Sequence, residues 1–371
     1  MLSNAFRLFS VAGIPLKVHW TFGFFFLWIA YAGYRAGMDQ TGIVHLCLFA
    51  VVLFCCVVLH EFGHALTARR YGVSTKDIII SPIGGVARLI SMPEKPVHEL
   101  IIAIAGPMVN LVIATILGTF LVLVTDQGVG LIGNQVTLFN HLSNFLPALF
   151  WLNLFLIGFN LLPAFPMDGG RIFRSILSMR IGKEKATRIA AMMGQSIAIG
   201  FLVYGIYRAD FILGFIGLFV FFSAAFEYRS VRADTVLNSS TVEHVFRRTY
   251  TPIFIDDPMQ KAISLTQKGK EKDFIVLDQK GQMHGVLHEE FVKEALKKNA
   301  AQEPVGSFTS PNYEKIGPHI NLKHIFQLFQ RNGYSIVPVF SQGVMIGVID
   351  RRILNQFVRS KASLWSTWKK H

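Results

Sequence analysis

The chain has 371 residues, of which 52% are hydrophobic and 16% charged, with 33 Phe and a formal net charge of +13. Soluble domains average about 25% charged residues, so this composition excludes a protein dissolved wholly in water. The basic residues cluster at the ends of apolar runs, and that placement excludes nucleic acid as the partner despite the positive charge.

In chain order, apolar runs at 22–34, 46–59, 111–124 and 211–226 each sit in a stretch long enough, or nearly so, for the roughly 20 residues a spanning helix needs. The predicted spans are 14–34, 43–68, 97–124, 146–176, 187–207 and 211–228, the fourth interrupted by Pro163 and Pro166. No small-residue cleavage site follows the first run, which therefore reads as a retained span. Cys47, Cys55 and Cys56 share one apolar segment, so no disulfide framework is implied. Arg69, Arg70 and Lys76 follow the second span, Arg171, Arg174, Arg180, Lys183, Lys185 and Arg188 belong to the fourth and its exit, and Arg229 and Arg232 follow the last. The loop 126–144 has no Lys or Arg. That asymmetry is the positive-inside pattern. With six spans it predicts an integral protein of a prokaryotic plasma membrane with both termini cytoplasmic.

Between the second and third spans, residues 77–92 hold two β-prone runs around Gly84-Gly85, which predicts a hairpin. At membrane depth a hairpin is tolerated only where protein or water covers its polar backbone. From about Val231 onward, charges and short strand-like runs replace the apolar blocks. Phe274-Ile-Val-Leu, a turn, Gly285-Val-Leu and a helical stretch at 288–298 are echoed by Ser335-Ile-Val-Pro-Val, a turn, Gly347-Val-Ile and another helical stretch. Amphipathic helices at 259–267 and 322–332 open the two halves. The expectation is a tandem α/β module with units of about 60 residues. The fold class is thus a polytopic α-helical membrane domain of about six spans with a re-entrant β-hairpin, residues 1–230, plus an α/β pair at about 231–300 and 301–371.

His60-Glu61-Phe62-Gly63-His64 is an H-E-x-x-H motif. On a helix, positions i and i+4 share a face, so both imidazoles can reach one Zn²⁺, with Glu61 beside the open coordination position to take a proton from water. The preceding run 46–59 is wholly apolar, and an ionisable group in a span costs roughly 2.5–3.5 kcal/mol on insertion scales. A bound dication compensates for it. Two His leave a catalytic zinc one protein ligand short. Asp168 is the candidate third, in the stretch Asn160-Leu-Leu-Pro-Ala-Phe-Pro-Met-Asp-Gly-Gly170, where prolines, an acid and glycines break an apolar span. Both Asp168 and His64 lie a few residues before basic clusters, so they are expected at matching depth near the cytoplasmic ends of their spans.

The chain here resembles the site-2 protease family of intramembrane metalloproteases. The resemblance rests on His60-Glu61-x-x-His64 and on Asn160-x-x-Pro163-x-x-Pro166-x-Asp168-Gly169, and covers roughly residues 13–228. It implies one zinc per chain held by His60, His64 and Asp168, Glu61 as general base, and Asn160 binding substrate or stabilising the oxyanion. Gly106-Pro107-x-x-Asn110 looks like a further family feature for close helix packing. In the family a hairpin like that at 77–92 receives the substrate as an added strand, which makes the implied partners a transmembrane segment of another membrane protein and the bilayer itself. The alternative class is a metal transporter with the same appended module, but a transport site needs no acid between its two His.

The C-terminal pair resembles tandem cystathionine-β-synthase-type (CBS) domains, which often bind adenine nucleotides and regulate attached membrane proteins. After each Gly-Val pair, nucleotide binders of that family carry Ser or Thr and then Asp three residues later. Here those positions are His288 and Phe291 in one half and Asp350 and Ile353 in the other. These departures count against an adenine nucleotide and in favour of dimerisation or substrate docking.

Overall fold

The first apolar run does not begin as a helix. In the computed structural model, which describes residues 5–82, 84–90, 93, 95–124, 144–269, 271–311, 313–331 and 334–362, strand β1 (Ala5–Val11) turns into β2 (Ile14–His19), and helix α1 occupies only Thr21–Arg35. The predicted span starting at residue 14 is corrected accordingly. Ile14 and Leu16 are buried while Pro15 and Lys17 are partly exposed, which is the two-residue period of a strand. Helix α2 (Gln40–Arg70) follows, its N-terminus capped by the Asp39 carboxylate, which accepts from the Gly42 N–H at 2.9 Å. Arg69 and Arg70 in its last turn complement the helix dipole.

Strands β3 (Thr75–Ser81) and β4 (Gly84–Leu89) form the expected antiparallel hairpin; residue 92, its predicted end, lies outside the described residues. The hairpin does not stand alone. β2 pairs with β3 in parallel, giving a four-stranded sheet ordered β1-β2-β3-β4 with β4 at one edge. Ile14, Leu16, Ile78 and Ile80 pack on Phe62 and Ala65 of α2, so the sheet lies directly on the helix that carries the H-E-x-x-H motif.

An ionic rivet crosses three of the strands. The Asp77 carboxylate on β3 accepts from Lys17 Nζ of β2 at 2.7 Å and from Arg88 Nε and Nη2 of β4 at 2.6 Å each. Hydrogen bonds from Arg88, reinforced by Lys17, lower the Asp77 pKa from its ordinary 3.8 to about 2. A depressed acid contributes stability that is full above its unfolded pKa and is lost as pH falls through the folded one. The rivet should therefore hold at pH values above about 4 and fail as pH falls towards about 2. Asp77→Asn should speed amide hydrogen exchange in β3 and β4 at neutral pH; unchanged exchange would show that the pairing does not hold the sheet.

Helices α3 (Pro96–Val124), α6 (Lys183–Arg208) and α7 (Phe211–Ser239) join α2 as the four described helices long and apolar enough to cross a membrane. α1 and α4 (Phe145–Asn160) are shorter, with 15 and 16 residues. The predicted fourth span is two helices: α4 ends at Asn160, and α5 (Asp168–Ile181) restarts the chain after the Pro163 and Pro166 turn as an amphipathic helix. The predicted loop free of basic residues lies, at 126–143, outside the described residues. Arg174 of α5 is fully buried and donates from Nη1 to Glu227 of α7 at 2.6 Å and from Nη2 to Glu99 of α3. That triad fixes the helix whose first residue is Asp168.

The chain divides into two units, Met1–Tyr228 and Arg229–His371. In the second, β5 (Pro252–Phe254), α8 (Met259–Gln267), β6 (Phe274–Leu277), β7 (Met283–Leu287) and α9 (Glu289–Lys297) make the first half. Helix α10 (Leu322–Arg331), β8 (Ile336–Ser341), β9 (Val344–Asp350) and α11 (Arg351–Ala362) make the other. The parallel pairing of β5 with β6 is echoed by a parallel bridge between Ile316 and Val339. A side chain at Gly285 would lie 2.4 Å from Ser310 O, and one at Gly347 would lie 2.3 Å from Arg247 O. The repeated Gly is thus explained by a second backbone passing against the strand in both halves.

Candidate metal centre

Helix α2 places His60 and His64 one turn apart on its buried face, and the turn after α4 delivers Asp168 to the same point. Asp168 Oδ2 lies 3.1 Å from both His60 Nε2 and His64 Nε2, and the two Nε2 atoms are 3.1 Å apart. All three residues are buried, and they form the one such His/Cys/Asp/Glu group found among the described residues.

The outer hydrogen bonds decide what this triangle can hold. His64 Nδ1 is 2.7 Å from the Ile102 carbonyl, which can only accept, so Nδ1 carries the proton and Nε2 a lone pair. His60 Nδ1 is 3.2 Å from Asn110 Oδ1 and takes the same tautomer. Two imidazole lone pairs and a carboxylate oxygen therefore converge within 3.1 Å, an arrangement of acceptors that a cation stabilises. Donors about 2.0–2.1 Å from a tetrahedral zinc stand roughly 3.3 Å from one another, so the spacing as well as the donor chemistry fits that ion. Partners of this kind fix ligand tautomer and orientation, and their loss typically costs about 10–100-fold in metal affinity. Asn110→Ala should weaken zinc binding by that order in chelator competition; an unchanged affinity would remove the assignment.

Gly106 of α3 is the floor of the site. A Cβ there would lie 2.2 Å from His64 Nε2 and 2.6 Å from His60 Nε2, so no other residue leaves the ligand atoms room. The Gly106-Pro107-x-x-Asn110 stretch, expected to serve helix packing, thus touches both imidazoles.

Glu61 lies beside the triangle but turns towards the sheet. Its Oε2 accepts from the main-chain N–H of Ala87 on β4 at 2.9 Å, and β4 passes so closely that a Cβ on Gly85 would meet Glu61 Cγ at 2.7 Å. Asn160, the last residue of α4, is partly exposed and makes no hydrogen bond to the three buried residues. His60, His64 and Asp168 are thus brought together, Glu61 is adjacent, and Asn160 is not in contact. Sequence reasoning missed the Ile102 carbonyl and the Ala87 N–H, because main-chain groups leave no residue signature. It also missed the role of Asn110, whose signal was an amide side chain in an otherwise apolar span.

Comparison with known proteins gives the following similarities. A family model for peptidase family M50 matches residues 48–203, and a CBS domain model matches residues 305–359. The chain is 38% identical over 258 residues to the zinc metalloprotease MJ0392 of Methanocaldococcus jannaschii, covering 70% of each protein. It is 27% identical to the putative zinc metalloprotease sll0528 of Synechocystis, across 98% of this chain and 97% of that one. Among solved structures, the site-2 protease from Methanocaldococcus jannaschii is 39% identical, covering 60% of this chain and 95% of that one, with a TM-score of 0.46.

Proposed function

Because the chain belongs to peptidase family M50, the site-2 proteases, we propose that His60, His64 and Asp168 are its zinc ligands and Glu61 its general base. The protein is an intramembrane zinc metalloprotease with a C-terminal CBS module. The observation that best supports the residue assignment is the convergence of three buried acceptors, each imidazole held in the tautomer that presents its lone pair.

When bound, zinc supplies a Lewis acid that acidifies water and polarises the scissile carbonyl. The chain supplies the rest. The Ile102 carbonyl and Asn110 amide keep the imidazoles oriented, and Glu61 takes the proton from the attacking water and passes it to the leaving nitrogen. A substrate helix hides its amides in its own hydrogen bonds and must unwind before attack. Among the described residues β4 is the edge strand beside Glu61, and main-chain pairing there replaces the bonds lost. Asn160 keeps a role in contacting the substrate or the developing oxyanion, since its partly exposed side chain lies at the end of the helix leading to Asp168. The basic residues that follow the second, fourth and last spans support a reading with both termini in the cytoplasm, in a prokaryotic plasma membrane.

The module serves docking or dimerisation in preference to nucleotide sensing. In its cleft, about 990 Å³, Arg247 pairs with Glu271 at 2.6 Å and with Asp350 at 3.3 Å, so this cation and these two carboxylates are engaged with one another. Asp350 also caps α11 through the Ile353 N–H, and His288 stacks on Tyr334 where a ribose contact would be needed. The experiment for this reading is capture. A Glu61→Gln enzyme expressed in its native membrane should retain a membrane protein with an apolar segment that the wild type cleaves. Recovery of the same proteins, uncut, with both enzymes would oppose it.

A further inference from the structure

Strand β4 closes the sheet order, so among the described residues one of its edges has no partner strand. In an antiparallel pair, alternate residues turn their N–H and C=O groups towards the partner and away from it. The Ala87 N–H goes to Glu61 Oε2 and not to β3, so Ala87, and with it Gly85 two residues earlier, faces the open edge. The Glu61 side chain is held there from two directions. Its carboxylate takes the Ala87 N–H at 2.9 Å, and its Cγ rests on the bare face of Gly85, where a Cβ would lie at 2.7 Å. The same face of β4 is seated on α2, where Ala87 packs in the cluster that contains Phe62 and Ala65.

We propose that Ala87 is a positioning residue: its edge N–H, with Gly85 beneath, holds the Glu61 carboxylate in register with the strand on which the substrate is laid. The inference rests on reading Glu61 as the base and extends it to the geometry of the substrate. A strand added to β4 finds the position opposite the Ala87 N–H already taken by the carboxylate. Its carbonyl at that level is left unpaired with the sheet, and the peptide bond presented to the base is the one lying opposite Ala87. Base and substrate are thus aligned by one piece of backbone. The sequence at position 87 matters little so long as its nitrogen carries a hydrogen, whereas position 85 accepts only Gly.

The test removes the hydrogen without removing the residue. Ala87→Pro deletes the donor, and an edge strand tolerates proline where its nitrogen faces outwards. Replacing Ala87 by its ester analogue, lactic acid, deletes the same donor without constraining φ and decides the matter if the proline variant folds poorly. Both should lower kcat roughly 10–100-fold, the scale of a small misplacement of a catalytic group, with KM and zinc content unchanged. Gly85→Ala, whose added carbon would meet Glu61 Cγ at 2.7 Å, should lose kcat as the ester does. A lactate enzyme with full kcat, one in which only KM rises, or one that loses zinc would each overturn the proposal. Glu61→Gln is assayed alongside. If it is active, the base assignment fails; if it is inactive beside a fully active lactate enzyme, only the positioning role fails.

Discussion

A Glu61→Gln enzyme should hold its full zinc complement, keep its fold and cleave nothing measurable. Glutamine has nearly the same shape and retains an oxygen to accept the Ala87 N–H, so the contact at 2.9 Å that seats the side chain survives the change. None of the three converging donor atoms belongs to Glu61, so the metal stays. What disappears is a group able to take a proton from water and return it to the leaving nitrogen, a contribution typically worth about 10²–10⁴ in rate. Activity within about tenfold of the wild type would mean that another group is the base.

The second large effect is expected from Gly106→Ala, a change of one methyl group. In most helix interiors it would stabilise the protein by up to about 1 kcal/mol, so loss of function here cannot be laid to helix propensity. The added carbon would sit 2.2 Å from His64 Nε2 and 2.6 Å from His60 Nε2, inside both ligand atoms. Helix α3 has little freedom to withdraw, because its Ile102 carbonyl and Asn110 amide are bonded to the same two imidazoles. Zinc content should fall from about one per chain, the stoichiometry of a single three-ligand site, to near zero, as it should in His64→Ala and Asp168→Ala. Full zinc in the Gly106→Ala protein would place the metal elsewhere.

The centre was legible in the sequence where chemistry and helical period coincide. His60 and His64 are four apart, and Asp168 is an acid in an apolar, proline-broken stretch, so an ion was the economical account of all three. The same apolar background hid the start of the chain. Ile14 to His19 read as part of a span, yet its alternation of buried and partly exposed residues belongs to a strand that pairs with the hairpin. What the sequence could not give was the work of the backbone. The Ile102 carbonyl sets the His64 tautomer and the Ala87 N–H seats Glu61, and neither depends on the side chain at that position. Asn110 was visible as a motif residue, but its contact with His60 appears only when α2 and α3 are laid side by side. In the second unit, the Gly285 and Gly347 repeat was readable, while its cause, a neighbouring backbone in each half, required the fold.

Cleavage by the purified protein in proteoliposomes tests the central claim most directly, using a substrate with a single apolar segment and mass spectrometry of the fragments. The account predicts a cut within or at the edge of that segment, lost on treatment with a zinc chelator, restored by about one equivalent of zinc per chain, and not restored in the Glu61→Gln protein. Cleavage that persists in zinc-free enzyme, or zinc movement across the vesicle membrane with no fragment formed, would contradict it.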